Sequence, residues 1–444
     1  MISVRTVPRR PLRHGYWKLR EALSGSRFDE RFYLDSYADV AAAVRQGLFS
    51  TAFEHWIEFG AAEGRLAAAP VDGPLRRLDP LQAPTTVMVY LELTTRCNLR
   101  CVYCPVSQPT YRADDLPLER LDPFIEEMHA RGVQIIVMNG HGESSIVKGW
   151  EALSDRLADA GFRLHITTNL AKRLTPPEIA ALSRFESILV SLDTADAELL
   201  AALRRGARLQ TILENIEAIA GFAKERRRTP ELALSCVVSD QSAPRLRELV
   251  TAMLERGVRV FRFGDLVEYD PIPGAMVARH VSTLPPDALA SAGRELRAAL
   301  EQIAERNGTV FVDPPISALL VDDDAEEVFA DARSGGAMAK TVHYDEPGEG
   351  MTRDCLDPWR IAFVQATGDV RPCCFFEETL GSLAVESLED IVDGEPFREL
   401  REELLTGALR PNCLHCNARP LVDAKAFSAK VTGHLESERA RISR

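Results

Sequence analysis

The sequence predicts an α/β fold: a parallel sheet wound by strand–helix alternation, a small cysteine-bearing α+β domain after it, and a short helical module before it. Three observations carry this expectation. Six apolar segments rich in β-branched residues alternate with helical segments between residues 87 and 306. The cysteines gather at Cys97–Cys104 and at Cys355–Cys416, apart from a lone Cys236. Aromatic and aliphatic side chains recur at helical spacing within residues 28–65.

Taken in order, residues 1–27 form a basic tail, with Arg5, Arg9, Arg10, Arg13, Lys18, Arg20 and Arg27 against the single acid Glu21. They are read as a solvated tail, the alternative being a weak membrane-surface or partner-binding segment. In the helical module, residues 28–70, Phe28, Phe32, Tyr33, Tyr37, Val40 and Val44 are followed by Phe53, Trp56, Ile57 and Phe59, with Gly47, Gly60 and Gly64 as punctuation. His55 is expected to pack within a helix. Residues 71–84 hold Gly73, Pro74, Pro80 and Pro84 and read as a linker.

Strands are expected at 87–93, 133–138, 163–168, 187–191, 232–239 and 258–263. Helices fill 117–130, 148–160, 176–183, 209–226, 243–256 and 286–306. Six consecutive βα units imply parallel strands with right-handed crossovers, spanning residues 85–307. In such folds chemistry collects on the loops at the strands' C-terminal ends, and Cys97–Cys104 follows the first strand directly. Residues 308–354, with Asp322–Asp324 and Gly335-Gly336, read as an irregular linker or lid. A cysteine-bearing domain follows at 355–420, then a helical tail at 421–444.

The 444 residues, 45% hydrophobic and 27% charged, describe an ordinary globular protein. No run of about twenty apolar residues is present, so no transmembrane segment is expected. No apolar signal core precedes residue 30, and a cytoplasmic location follows as an expectation. Nine cysteines in that setting favour metal or redox chemistry over disulfides. A net charge of −13 argues against nucleic acid as the main partner.

Three thiolates within eight residues, Cys97, Cys101 and Cys104, can hold three irons of a [4Fe–4S] cube and leave the fourth open. Zinc or simple burial is the alternative, but zinc sites ordinarily bring four ligands at other spacings. The spacing C-x3-C-x2-C, with Tyr103 before the last cysteine, resembles the radical S-adenosylmethionine (SAM) superfamily. This resemblance runs from about Thr85 to Gly264 and implies a partial (β/α)6 barrel. It also implies one [4Fe–4S] cluster with SAM on its open iron, and an external electron donor such as flavodoxin or ferredoxin.

The same resemblance implies the SAM contacts. Met138-Asn139-Gly140-His141-Gly142-Glu143-Ser144 stands where the family has its glycine–glycine–glutamate–proline motif, so Gly140, Gly142 and Glu143 would hold the SAM amino group. His141 replaces the first glycine of that motif and Ser144 its proline. His141 is read as structural, with an acid–base role toward substrate as the alternative. Asn169, Ser191 and Asp193 end the third and fourth strands and would meet the ribose and methionine portions. Arg205, rather than Arg204, would reach the SAM carboxylate. Val237 would read the adenine edge through its backbone, and Tyr103 would pack near it.

Downstream, Cys355, Gly368, Cys373 and the pair Cys413-x2-Cys416 form a pattern that resembles the twitch domain, the short form of the SPASM domain. It implies that Cys355, Cys373, Cys413 and Cys416 hold one auxiliary [4Fe–4S] cluster, with a zinc ribbon as the alternative. His415 is not expected to be a ligand. Cys374 abuts Cys373 and is a candidate hydrogen-atom donor to a substrate radical, or simply packs. Cys236 is expected to pack in a buried strand.

Residues 33–65 also resemble a short module attached to glycosyltransferases and other surface-polysaccharide proteins, on the strings Tyr33-Leu34-x-x-Tyr37-x-Asp39-Val40 and His55-Trp56-x-x-x-Gly60-x-x-Glu63-Gly64-Arg65. The combined expectation is a radical SAM oxidoreductase or epimerase acting on a small molecule: a carbohydrate, aminocyclitol or nucleotide sugar. The alternatives are a peptide-modifying maturase and a noncatalytic metal-bearing interaction protein. The helical rather than strand-rich N-terminal module weighs against the maturase.

Overall fold

The computed structural model describes residues 28, 30–46, 49, 51–56, 79–83, 85–118, 121–225, 230–267, 272, 274–320, 348–416 and 419–442. The basic tail, most of the 71–84 linker and the acidic run at Asp322–Asp324 lie outside them.

The first barrel strand, β1 (Met88–Leu91), is followed by the two-residue β2 (Arg100–Cys101), then β3 (Ile135–Met138), β4 (Arg163–Thr168) and β5 (Ser187–Ser191). Next come the two-residue β6 (Arg204–Arg205), β7 (Glu231–Val238), β8 (Val260–Asp265) and β9 (Thr309–Val312). The C-terminal part adds β10 (Met351–Arg353), β11 (Ile361–Val364), β12 (Asp369–Arg371), β13 (Gly381–Ser382) and β14 (Leu421–Asp423).

Ten of these strands form one sheet in the order β13-β12-β11-β1-β3-β4-β5-β7-β8-β9. From β1 to β9 the spatial order follows the chain order and every pairing is parallel. Crossovers of one hand that always advance in one direction put all the helices on one face. The sheet therefore curls into a partial barrel.

Burial alternates along the strands. Val89, Leu91, Ile136, Met138, Leu164, Ile166, Ile188 and Val190 are buried beneath the helices. Tyr90, Val137, Thr167, Leu189 and Ser191 face the other way and are only half-buried. That concave face is thus a chamber rather than a filled core.

Residues 309–312, expected to be irregular, form β9 and pair in parallel with β8. The Thr-Val-Phe-Val run is β-branched and follows a turn at Asn307 (φ 55) and Gly308. The two-residue strands β2 and β6 were also not expected. They pair antiparallel and fasten the cysteine loop to the segment that follows the fourth barrel strand.

The C-terminal domain extends the barrel sheet itself. β11 pairs in parallel with β1, opposite β3, and β12 turns back antiparallel on β11. Buried charge stitches the two parts together. Arg131 Nη1 donates to Asp393 at 2.7 Å, Leu388 N donates to Glu127 at 2.7 Å, and Trp359 Nε1 donates to Pro80 O at 2.7 Å. Arg401, fully buried, donates to the carbonyls of Pro358, Val392 and Leu81 at 2.8–3.1 Å. Burial pulls its pKa down to about 10. The helix Ala424–Ile442 follows β14 and donates from Lys430 Nζ to Asp354 at 2.6 Å.

The N-terminal module has its own small core of Tyr33, Val40 and Ala52, with Phe28, Leu34, Tyr37, Val44 and Trp56 packed on it. His55 is buried and 3.1 Å from the Tyr33 hydroxyl. Among the described residues no helix is long and apolar enough to cross a membrane.

Arg401→Met removes a fully buried guanidinium and leaves the carbonyls of Pro358, Val392 and Leu81 without that donor. The expected loss is on the order of 3 kcal/mol, read as a lower urea midpoint by the fluorescence of Trp359, which stands beside Pro358.

Candidate functional site

The site is assembled where the loops leaving β1, β3 and β4 meet. Glu92 is the first residue past β1, and its main-chain N–H donates to Val364 O of β11 at 2.9 Å. Its carboxylate, 1% exposed, accepts from His141 N at 2.6 Å and from Ala366 N at 3.2 Å. One buried carboxylate thus ties the strand before the cysteine loop to the glycine loop and to the C-terminal hairpin. Gly140 stands against it: a Cβ there would lie 2.3 Å from Glu92 Cγ.

Gly142 is packed against backbone. A Cβ would meet Thr94 O at 2.3 Å and Arg96 O at 2.4 Å, neither of which a rotamer change could clear. The next residue completes the join, since Glu143 N donates to Arg96 O at 2.8 Å. The carboxylate of Glu143 is buried and accepts from Ser145 N (3.1 Å), Thr168 Oγ1 (2.8 Å) and Asn169 N (2.7 Å). An ionised carboxylate has about four acceptor positions, so about one remains for a further donor. Asn169 in turn points its amide at the cysteine loop, 2.9 Å from Asn98 Oδ1 and 3.7 Å from Cys97 Sγ. Leu170 follows with φ 47, a left-handed conformation for a fully buried leucine. Such strain is commonly held where a loop must aim side chains.

A second buried node lies across β5 and β7. Asp193 receives a two-pronged pair from Arg204, both bonds 2.8 Å, and accepts from Val237 N at 3.0 Å and from the Tyr103 hydroxyl. Burial opposes the Arg204 charge, but the facing carboxylate raises its pKa overall. Burial chiefly, with Asp193 alongside, raises that of Tyr103. The carboxylate of Asp193 and the N–H of Val237 therefore already serve each other. Ser191 ends β5 on the chamber side, opposite Ser235. Arg204 is the arginine at this node, whereas Arg205 is solvent-exposed.

The thiols gather in two sets: Cys101 is acted on by Cys97 and Cys104, and Cys373 by Cys416, with Cys355 acted on by Cys373 and Cys413 by Cys416. Soft sulfur donors of this kind suit iron–sulfur ligation. Burial pushes the Cys101, Cys373 and Cys413 thiols up to about 12. It also raises Cys97, Cys104 and Cys355. Unligated, these groups stay protonated, and only binding to metal makes them thiolates. Backbone N–H donors are already placed, Leu99 N lying 3.4 Å from Cys97 Sγ; such bonds tune cluster potentials. Around the second set, fully buried Arg353 donates to the carbonyls of Cys413 (3.1 Å) and Leu414 (2.5 Å), fixing the turn that presents Cys413 and Cys416. Cys236 is fully buried, and His415 is exposed.

β1 adjoins both thiol-bearing segments. Its C-terminal end leads to Cys97–Cys104. Its N-terminal end, at Met88, is opposite Ile361, which the short helix Asp357–Arg360 separates from Cys355. Four residues at about 3.3 Å each make this roughly 10–13 Å of strand. Tyr90 lies along it, stacked on Phe363 at 5.8 Å, with its pKa raised first by burial and then by Cys374 and Asp357. Cys374 is exposed.

Glu92 and Arg353 were missed from sequence, and Arg204 was considered there beside the favoured Arg205. The only signal for Glu92 was an acid inside the apolar run Val-Met-Val-Tyr-Leu-Glu-Leu; residue type alone did not show which of Arg204 and Arg205 turns inward.

Residues 91–225 match the family model of the radical SAM superfamily, and residues 355–417 match SPASM, an iron–sulfur cluster-binding domain. Among curated proteins, GTP 3′,8-cyclase of Paracoccus denitrificans is 32% identical over 166 residues, 35% of this chain and 46% of that one. The Pseudomonas fluorescens GTP 3′,8-cyclase is 29% identical over 220 residues, 47% of this chain and 59% of that one. The chain thus spans about half the length of these relatives. Streptococcus suis SuiB bound to S-adenosylmethionine superposes with a TM-score of 0.51 at 16% identity, covering 72% of this chain and 68% of that one. Native anSMEcpe with bound AdoMet gives 0.50 at 13% identity, covering 80% and 97%. At these identities the solved structures establish the shared fold.

Gly142→Ala forces the glycine loop off the cysteine loop. SAM affinity is expected to fall more than about tenfold, measured by equilibrium dialysis, with Gly221→Ala, on the helix Leu209–Glu225, whose Cβ meets nothing within 4 Å, as the control for stability. In Glu92→Gln one of the two backbone donors loses its acceptor and faces an amide N–H2 instead. SAM affinity is expected to drop several-fold, while Glu92→Asp retains more of it because both oxygens remain acceptors.

Proposed function

With a radical SAM domain over residues 91–225 and a SPASM domain over residues 355–417 as the starting point, we propose that the protein oxidises or epimerises a small hydroxylated substrate. The class is a carbohydrate, aminocyclitol or nucleotide sugar. The observation that carries this reading is the half-buried concave face of the barrel sheet, on which Tyr90, Thr167, Ser191 and Ser235 lie. Hydroxyl side chains on short strands suit a polyol, offering both donors and acceptors.

When bound, the groups implied by the two domains would supply the hard chemistry: Cys97, Cys101 and Cys104 would hold a cluster able to cleave SAM reductively for hydrogen-atom abstraction, and Cys355, Cys373, Cys413 and Cys416 an auxiliary cluster able to accept an electron. The chain's own residues orient and enclose. Glu143 would offer its remaining acceptor position to the SAM amino group, with Gly140 and Gly142 letting its loop pack on Glu92 and on the cysteine loop. Asn169 fixes the Cys97 side of the loop. Asp193 and Arg204 hold the floor beneath Tyr103 and Val237, where the adenosyl portion would rest. Ser191 offers a hydroxyl on the chamber side. Cys374, exposed near Tyr90, is the candidate hydrogen-atom donor in the epimerase form of the reaction. The relatives named GTP 3′,8-cyclase favour, within this class, a nucleotide-linked substrate.

Anaerobic reconstitution is expected to load about eight irons per chain, falling by about four in Cys97→Ala and, separately, in Cys355→Ala. Loading with zinc alone would contradict the reading. Reductive formation of 5′-deoxyadenosine is expected to vanish in Cys97→Ala and persist in Cys355→Ala. A screen of sugars, nucleotide sugars and peptides for stimulated 5′-deoxyadenosine release separates the proposed class from a peptide-modifying enzyme. Uptake of solvent deuterium at a substrate carbon, lost in Cys374→Ala, marks epimerisation; net oxidation without uptake marks dehydrogenation.

A further inference from the structure

We infer that the outward face of the cysteine loop, formed by Arg100, Arg205 and Arg208, is the docking surface for an acidic protein that carries one electron. This rests on the radical SAM reading above and adds to it the place where the reductant binds. The β2–β6 register sets Arg100 directly opposite Arg205 on the exposed side, with Cys101 opposite Arg204 on the inner side. Like charges facing each other across an antiparallel pair destabilise it. The turn that follows, with Gly206 at φ 99 and Ala207 N donating to Arg204 O at 2.8 Å, leads to a third exposed arginine, Arg208.

Among the described residues, no carboxylate lies within ion-pair distance of any of the three, in a chain with 66 acidic residues against 53 basic ones. Arg100 is held in place, donating through Nη1 to Cys97 O at 2.7 Å and Leu99 O at 2.9 Å. It is thus anchored on the loop that carries Cys97 and Cys101. A positive face that starts one residue from Cys101 and three from Cys97 is complementary to an acidic carrier and brings it to the loop that bears these thiols. The step is a one-electron transfer: the carrier is oxidised by one electron and the loaded site is reduced by one, with no bond made or broken in the carrier.

The test uses the reconstituted holoenzyme and a bacterial flavodoxin as the probe. Binding of oxidised flavodoxin is measured by calorimetry. The dissociation constant is expected to rise about tenfold or more in Arg205→Glu and in Arg208→Glu, and to rise steeply for the wild type between roughly 50 and 200 mM salt. Arg294→Glu, on the exposed side of the helix Pro286–Glu305, serves as the control and is expected to stay within about twofold. Arg208→Glu is also expected to cleave SAM normally when dithionite replaces the protein donor. Flavodoxin affinity indifferent to salt, or unchanged in both variants, overturns the inference without any requirement on activity. Loss of SAM affinity in Arg205→Glu with flavodoxin binding intact also overturns it, and assigns that arginine to the SAM carboxylate. Failure of the wild type to cleave SAM with dithionite would instead strike the radical SAM reading, because calorimetry reads docking independently.

Discussion

The mouth of the barrel depends on one close approach, that of the glycine loop to the cysteine loop. Gly142 touches the carbonyls of Thr94 and Arg96 at distances no side chain could occupy, and Glu143 N closes the contact on Arg96 O. Backbone against backbone leaves no rotamer to absorb an error, so the position of Cys97 is transmitted directly to the carboxylate of Glu143. Thr168 and Asn169 then extend the same hydrogen-bonded chain to the end of β4. Three loops from three strands are thereby locked before any cofactor arrives, and such preorganisation lets a site orient a reactive group without reorganising at each turnover.

Buried charge performs the corresponding task at longer range. Glu92 ties β1, the glycine loop and the C-terminal hairpin, while Asp193 and Arg204 tie the segment after β5 to the cysteine loop and to β7. Removing one partner from such a set leaves a desolvated charge, which costs more than the pair contributes when intact. Arg401 and Arg353 act likewise in the C-terminal domain, each spending its donors on main-chain carbonyls. The auxiliary domain is consequently a continuation of the barrel sheet through β11.

The six barrel strands, both cysteine sets and the glycine–glutamate loop were legible in the sequence, because period-2 burial, ligand spacing and tight backbone contacts are local and leave residue-type signatures. The strand at Thr309–Val312 was less so, since a four-residue run followed by Pro314-Pro315 looks like a loop until a neighbouring strand offers its hydrogen bonds. The roles of adjacent Arg204 and Arg205 were not legible at all. Which of two neighbours turns inward depends on the β2–β6 register, and that register joins residues a hundred positions apart.

By itself, then, the sequence determined the α/β winding, the two cysteine groups and the glycine–glutamate loop, all consequences of residue type and spacing along the chain. Tertiary structure alone decided which ionisable groups are spent on one another. Glu92, Asp193, Arg204 and Arg353 became fixtures of the scaffold, and Arg100 and Arg205 became a bare positive face. The physical reason is that burial and charge pairing are set by what lies across space, and partners such as Glu92 and Ala366 are brought together only when distant strands share one sheet.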